Sequence, residues 1–222
     1  NADAPATDIA TFLALPRVEK ADKLHITNAI TGRATGSAKF DLIAFSEQGR
    51  EGEDMHYAID AKLIDVSQAK FLGSRDVENA NMDLALDNKG VKLAGNATIN
   101  KVPMHIDLTS SFAEGHDTKY AIQCEMPVAK LATFGLSGID FATGTIGVNA
   151  QFAESSTSDT SKSKLDLTHT DIALADHGFY KKAGVGETLD VETQALPSGN
   201  TLIKLFTLQG SGVEVSGSGE LE

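Results

Sequence analysis

The sequence predicts an all-β protein with a mainly antiparallel sheet and one short N-terminal helix. From Leu24 onward, apolar and polar residues alternate over most of the chain, which is the period of strands that bury one face. Turn-forming residues separate the alternating runs, so consecutive strands are expected to pair as hairpins. A helical spacing of apolar residues is found near the N-terminus.

The predicted helix lies within residues 1–23, which form a lead-in to the strands. Asp8 is the expected N-cap because its carboxylate can accept hydrogen bonds from the first free backbone N–H groups. Ile9 and Phe12 follow at helical spacing, and Pro16 is expected to end the run.

Two groups of strands are expected. The first is a meander of three strands, with turns at Asp87–Gly90 and at Asn100–Lys101. The second group contains the later alternating runs, with a turn at Leu196–Asn200. The predicted strands cover residues 80–87, 91–99 and 102–109 in the first group, and 140–152, 165–170, 189–195, 202–208 and 213–219 in the second.

The polar, low-complexity run 153–164 is expected to be a solvated, mobile hairpin loop. It would separate two β-repeat units, residues 24–152 and 165–222, of one continuous domain. A linker between independent domains is the alternative, but the strand pattern has the same character on both sides.

Charge and hydropathy exclude several classes of function. The 19 basic and 31 acidic residues of this 222-residue chain give a net charge of −12, so nucleic acid is not an expected partner. No apolar run reaches the roughly 18 residues that a membrane-spanning helix needs. The single cysteine, Cys124, cannot form an internal disulfide and is expected to be a small buried apolar residue.

The sequence gives no specific indication of an enzyme. Its six histidines lie far apart, without the spacing of metal ligands, and are expected to face solvent from strands. Complete nucleophile-elbow, Walker and dinucleotide-binding patterns are missing from the sequence. We therefore predict a protein that is not an enzyme and that uses neither a metal nor a cofactor.

The apolar side of so many strands must be covered by a helix, a second sheet or a ligand. One short helix is too little for this task, so the sheet either folds onto itself as a sandwich or curls into a trough with an accessible apolar lining. A trough lined by aliphatic residues without converging polar groups would suit acyl chains, which offer methylenes and no hydrogen bonds.

Four segments of the chain form an ordered series of motifs: residues 26–42, 57–66, 81–97 and 174–184. They contain, in order, a G-x-A-x-G strand, a Y-x-I-x-A-x-L-x-D-V strand, a D-N-x-G hairpin with G-x-A, and a short connector with an aromatic residue and Lys before Gly. This series resembles the AsmA-like proteins of Gram-negative envelopes, particularly the YhdP and TamB-related group. Tyr180 stands where relatives often have Trp.

The resemblance implies an elongated, strongly curved, mainly antiparallel sheet that forms an open hydrophobic groove. It also implies a periplasmic segment of a longer protein that is anchored in the inner membrane and conducts phospholipid between the inner and outer membranes. The apolar positions expected to contact lipid are Ile59, Ala61, Leu63, Met82, Leu84, Leu86, Val91, Leu93, Val102, Met104, Ile106, Leu108, Leu189 and Val191.

The alternative is a structural or scaffolding β-sandwich that binds an envelope protein through an exposed strand edge. The two hypotheses differ in their response to a charge placed at Leu84 or Ile106. In an open groove the change would abolish lipid binding, whereas in a sealed core it would unfold the protein.

Overall fold

A computed structural model describes residues 2–14, 29–42, 55–72, 75–113, 118–155 and 158–221. These residues are mostly in antiparallel strands. The chain divides into two compact units, residues 1–116 and 117–222. The predicted all-β class, with a mainly antiparallel, open sheet and a short N-terminal helix, is confirmed.

Unit 1, residues 1–116, has a sheet in which neighbouring strands are consecutive in the sequence. Its end strands do not pair with each other in the described part of this unit, so its sheet is open. The elements are β1 (Ala2–Pro5), α1 (Ala6–Leu13), β2 (Thr31–Leu42), β3 (Met55–Leu72), β4 (Arg75–Asp87), β5 (Gly90–Ile99) and β6 (Val102–Ser111).

The helix begins two residues before the predicted cap. Pro5 occupies the N-cap position and makes no side-chain capping hydrogen bond, while Asp8 lies in the first turn. The prediction that Asp8 is the N-cap is therefore wrong. Proline supplies a fixed backbone angle at the helix start, and a carboxylate within the first turn still interacts favourably with the helix dipole. The predicted stop at Pro16 lies outside the described residues.

Both predicted hairpin turns in the first meander are present. At the β4–β5 turn, the Asp87 carboxylate accepts hydrogen bonds from the backbone N–H groups of Lys89, at 2.7 Å, and Gly90, at 3.0 Å. At the next turn, Asn100 and Lys101 adopt φ angles of 48° and 64°. Asparagine tolerates this left-handed conformation better than most residues, which explains why its position marks the turn in the sequence.

Unit 2, residues 117–222, has a six-strand sheet with a small hairpin beside it. The sheet order is β7 (Thr118–Pro127), β8 (Ala142–Glu154), β9 (Asp159–Asp166), β12 (Glu187–Ala195), β13 (Thr201–Gly210) and β14 (Val213–Leu221). The hairpin consists of β10 (Thr170–Leu174) and β11 (Phe179–Lys181), and β10 pairs with β8. Two 3-10 helices, Val128–Phe134 and Ala175–His177, complete the described elements of this unit.

The hairpin predicted over 153–164 is present, but its loop is shorter than predicted, because strand residues fill most of the run. Most of these residues belong to the β8–β9 hairpin, which pairs from Glu154 opposite Asp159 back to Gly147 opposite Asp166. The run is polar and therefore has the composition of a loop. In the structure, polar side chains on β9 contact polar side chains on the neighbouring strand and so stabilise the sheet. Ser161 Oγ lies 2.7 Å from Thr193 Oγ1, and Lys162 Nζ donates to Glu192 Oε1 at 2.8 Å. The two compact units meet between residues 116 and 117, and the division into repeat units on either side of 153–164 stays a prediction.

Candidate functional site

Twelve of the fourteen predicted lipid-contact positions lie on one face of the unit 1 sheet. Strand register places directly opposed residues on the same face, and it joins these positions into rows across β3, β4, β5 and β6. The rows are Ile59–Leu86–Val91, Ala61–Leu84–Leu93–Leu108 and Leu63–Met82–Gly95–Ile106, followed by the pairs Ala97–Met104 and Ile99–Val102. The alternation read from the sequence therefore identifies a real apolar face.

Part of this face is a closed core. Ile9 and Phe12 of α1 pack against a buried cluster that includes Leu84, Leu86 and Val91. The Phe12 ring meets the Tyr57 ring edge-on, with centroids 5.4 Å apart. Helix α1 thus covers the end of the face that holds Leu84, which is 8% exposed. Farther along the face, Ile106 is partly buried, whereas Met104 and Val102, at 5% and 2% exposed, are again core residues.

Tyr57 is the polar residue within this core. Its hydroxyl is buried without a hydrogen-bond partner. Burial, assisted by the negative charge of Asp87, raises the pKa of the Tyr57 phenol, so the hydroxyl stays protonated. The interior of unit 1 is therefore neutral at this position.

A concavity of about 750 Å³ lies on the opposite, polar side of the unit 1 sheet. Its lining includes Asp3, Asp60, Lys62, Asp83 and Lys92. The Lys62 ammonium and the Asp83 carboxylate form an exposed ion pair at 2.9 Å. The lining is mixed, because Ala61, Leu84, Ala85 and Ala94 contribute apolar surface beside these charged side chains.

The remaining two predicted positions, Leu189 and Val191, lie in unit 2. They belong to an apolar face that extends across all six strands of its sheet, because the register joins partner residues continuously from β7 to β14. The first row is Cys124–Val148–Leu165–Leu189–Leu208–Val215, and the second is Ile122–Ala150–Ser163–Val191–Phe206–Gly217.

Much of this unit 2 face is partly exposed. Leu165, Leu189 and Leu208 are intermediate in burial, and Val215 is 48% exposed. The 3-10 helix Val128–Phe134 packs against β7 and β8, at the end of the face where Met126 and Ile146 are buried. The positions on β9, β12, β13 and β14 therefore form the more accessible part of the face.

Sequence reasoning did not include most of this face among the candidate positions. Leu165 and Leu208 lie in predicted strands, but the overlong loop predicted over 153–164 broke the series of paired strands. The available signal was the alternation of Tyr120, Ile122 and Cys124, which continues to Met126. Cys124 lies on this face and is partly rather than fully buried, and burial raises the pKa of its thiol.

No cluster of three or more metal-ligating side chains occurs among the described residues. His56, His105 and His169 are exposed, as predicted. His25 and His116 lie outside the described residues, as does the side chain of His177.

Lys181 is a buried cation beside the unit 2 sheet. It is 4% exposed, and its ammonium donates hydrogen bonds to the backbone carbonyls of Leu167, at 2.6 Å, and Thr170, at 2.8 Å. These carbonyls flank the turn between β9 and β10. In the same turn, the side chain and backbone N–H of Thr168 donate to Asp166 and lower the pKa of that carboxyl group. Lys181 therefore satisfies the polar backbone of a tight corner.

Glu187 is a second buried ionisable residue of unit 2, but unlike the Lys181 ammonium its carboxylate is not fully hydrogen-bonded. It is 4% exposed and its Oε2 atom has no hydrogen-bond partner, although Gly210 opposite it leaves space for the side chain. A Cβ atom on Gly210 would lie 2.0 Å from Glu187 Cγ. The glycine at position 210 thus permits an unfavourable carboxylate to be buried.

We expect Glu187→Met to raise the free energy of unfolding by about 1–2 kcal/mol, because Met keeps the shape of the side chain and removes an unsatisfied oxygen. Urea denaturation measures the change. Glu192→Met is the control on the outer face of the same strand, where the carboxylate is paired with Lys162. A destabilised Glu187→Met variant would contradict the prediction and indicate that the buried carboxylate is satisfied.

Comparisons with known proteins give no match: no family model, no curated protein and no solved structure resembles this chain significantly. The likeness to AsmA-like proteins therefore stays a prediction. Among the described helices, none is long and apolar enough to cross a membrane.

Proposed function

We propose that the chain binds lipid acyl chains on the partly exposed apolar face of unit 2. The observation that carries this proposal is the row Cys124–Val148–Leu165–Leu189–Leu208–Val215, which crosses six paired strands and has an apolar side chain at every strand. Cysteine contributes here as a small apolar residue. A row of this kind offers continuous contact to a long, thin, apolar ligand.

The chemistry of the face suits methylenes. Ser163 is the one polar side chain in the two rows, and the neighbouring rows add the hydroxyls of Tyr120, Ser161 and Thr193 and the buried carboxylate of Glu187. Each methylene removed from water contributes about 0.8 kcal/mol, so several methylenes held along one row would give measurable affinity. The shallow contact would also let a chain slide, since the two rows hold no charged side chain that would fix its position.

Binding of this kind would allow phospholipid to move passively along the protein. Acyl chains would lie on the apolar face while phospholipid headgroups stay in water, and the direction and energy of movement would come from other components. In keeping with the resemblance to AsmA-like proteins, we propose that the chain is a periplasmic segment of an envelope protein that carries phospholipid between the inner and outer membranes.

The test is binding of a phosphatidylcholine that carries one fluorescent acyl chain, together with native mass spectrometry of the purified protein. Leu189→Asp is expected to weaken binding at least tenfold, because it places a charge in the centre of the row. Gln194→Asp is the matched control: it adds the same charge to the same strand at a position that faces the other side of the sheet, opposite the uncharged Thr160 and Leu202.

Circular dichroism of both variants distinguishes lost binding from lost folding. Equal binding by the Leu189→Asp and Gln194→Asp proteins would reject the unit 2 face as the lipid site. Failure of the parent protein to bind any lipid would reject the lipid function and favour the scaffolding hypothesis.

A further inference from the structure

The small hairpin sheet of unit 2 has one packed face and one exposed face. On the packed face, Thr170, Ile172 and Lys181 are at most 9% exposed. The intervening residues of β10 and β11 point to the other face, because side chains alternate along a strand. This second face, the outer face of the hairpin sheet, carries the aromatic side chain of Tyr180, which is 67% exposed.

Two aromatic residues share one row of the outer face. Phe141 directly precedes β8, and its carbonyl accepts a hydrogen bond from the Ala173 N–H at 2.8 Å, which extends the β8–β10 pairing by one residue. Ala173 is in turn paired with Tyr180 of β11. The result is an aromatic row, Phe141–Ala173–Tyr180, in which Phe141 is 42% exposed.

The two rings of the aromatic row stand apart with a small residue between them. Neighbouring strands are about 4.8 Å apart, so positions two strands apart in a row are separated by about 10 Å. Ala173 between them is exposed, and its methyl group leaves the space between the rings open. In the described part of the chain, neither ring contacts another aromatic ring. Exposed apolar side chains grouped in this way are typical of a binding site.

A polar row lies beside the aromatic row, two residues farther along each strand. It consists of Thr143, Asp171 and Lys182, which the register places opposite one another. The Lys182 ammonium is 3.4 Å from the Asp171 carboxylate, and the two side chains are 88% and 42% exposed. A hydroxyl, a carboxylate and an ammonium thus supply both donors and acceptors of hydrogen bonds, about 7 Å from the aromatic row.

A sugar chain has the shape and the chemistry that these two rows match. Each pyranose ring has apolar C–H faces that stack on aromatic rings, and a rim of hydroxyls that donate and accept hydrogen bonds. In an extended β-1,4-linked glycan every second sugar has the same orientation, and the distance between such sugars is close to the spacing of Phe141 and Tyr180. The chain would lie across the strands, with its hydroxyls toward the polar row.

A membrane surface fits the same residues less well. Asp171 lies in the polar row and the chain has a net charge of −12, so phosphate headgroups are repelled. The apolar surface is also a single row bordered by charged side chains, whereas insertion into the membrane interface uses a broad apolar face. The two rows therefore favour a neutral ligand that is rich in hydroxyls.

We propose that the outer face of the hairpin sheet binds an extended β-1,4-linked glycan, which stacks on Phe141 and Tyr180 and forms hydrogen bonds with Asp171 and Lys182. This site is separate from the apolar face of the six-strand sheet, so glycan binding does not depend on lipid binding. Because the two rings contact one sugar and the second along from it, three sugars are the shortest ligand that reaches both rings.

Isothermal titration calorimetry of the full chain with three glucose oligomers tests the proposal. Cellotriose reaches both rings and is expected to bind at least tenfold more tightly than cellobiose, which reaches one. Maltotriose is the matched control, because its α-1,4 linkages curve a chain of the same length and composition, and it is expected to bind at least tenfold more weakly than cellotriose. Failure of cellotriose to bind, or equal binding of cellotriose and either of the other sugars, would overturn the proposal.

Variants of Tyr180 show whether the sugar uses the aromatic row. Tyr180→Ala is expected to weaken cellotriose binding at least tenfold, whereas Tyr180→Trp should retain it, because the indole offers a larger ring face. Leu205→Ala is the matched control, since Leu205 of β13 is 43% exposed and lies outside both rows. Circular dichroism confirms that each variant is folded.

Two results with these variants would contradict the glycan site. One is unchanged cellotriose binding by the Tyr180→Ala protein. The other is binding of the parent chain to phosphatidylglycerol vesicles that Tyr180→Ala removes, which would identify the aromatic row as a membrane contact.

Discussion

Replacing Leu84 with Asp is expected to lower the free energy of unfolding of unit 1 by about 4 kcal/mol. Leu84 is 8% exposed and belongs to the cluster that α1 covers. The substitution removes apolar contacts and places a carboxylate where the packed cluster offers no cation. Urea denaturation, followed by far-ultraviolet circular dichroism, measures the effect.

Ala85→Asp is the matched control for this prediction. Ala85 is the next residue of the same strand, is exposed and faces the opposite side of the sheet. We expect it to change stability by less than about 0.5 kcal/mol. If the Leu84→Asp protein were as stable as the Ala85→Asp protein, this end of the apolar face would be open rather than a core.

Replacing Lys181 with Met is expected to destabilise unit 2 by about 3 kcal/mol, because the carbonyls of Leu167 and Thr170 would lose their donor while staying buried. The distances of 2.6 and 2.8 Å show that the ammonium contacts both oxygens directly. Met preserves most of the apolar stem, so the change isolates the loss of the donor. Urea unfolding, with the tyrosines of unit 2 as probes, measures the difference.

The neighbouring residue supplies the control. Lys182 has a side chain that is 88% exposed and lies 3.4 Å from the Asp171 carboxylate. Exposed ion pairs contribute little, so Lys182→Met should cost less than about 1 kcal/mol. Equal effects of the two substitutions would show that charge near Asp171, rather than satisfaction of the buried carbonyls, determines stability here.

The strands of unit 1 are predictable because their sequence signals agree with one another. Alternation around Leu84 and Leu93 gives the buried face, and Asp87 and Asn100 mark turns whose geometry those residues favour. In unit 1 the alternation and the turn residues read from the sequence therefore agree with the strands and turns of the structure. The first residue of the helix is harder to predict, because both Pro at the start of a helix and Asp in its first turn are favourable.

The strand residues over 153–164 and the buried charges were not predictable in the same way. Ser161 and Lys162 form a strand because β8 and β12 lie on either side, which is information from other parts of the chain. Burial of Lys181 likewise depends on the fold of the β9–β10 corner. The unit 2 face required the register of six strands, and alternation within each strand does not specify which residues lie opposite one another.

The order of strands in unit 1 has a consequence for its folding. Each strand pairs with its nearest strand in the sequence, so contacts along the chain are local and loop closure costs little entropy. A sheet of this kind can assemble by zippering from one hairpin outward, in the manner of a linear array. The β4–β5 hairpin, with its Asp87 turn and the Leu84–Leu93 pair, is a natural nucleus for that process.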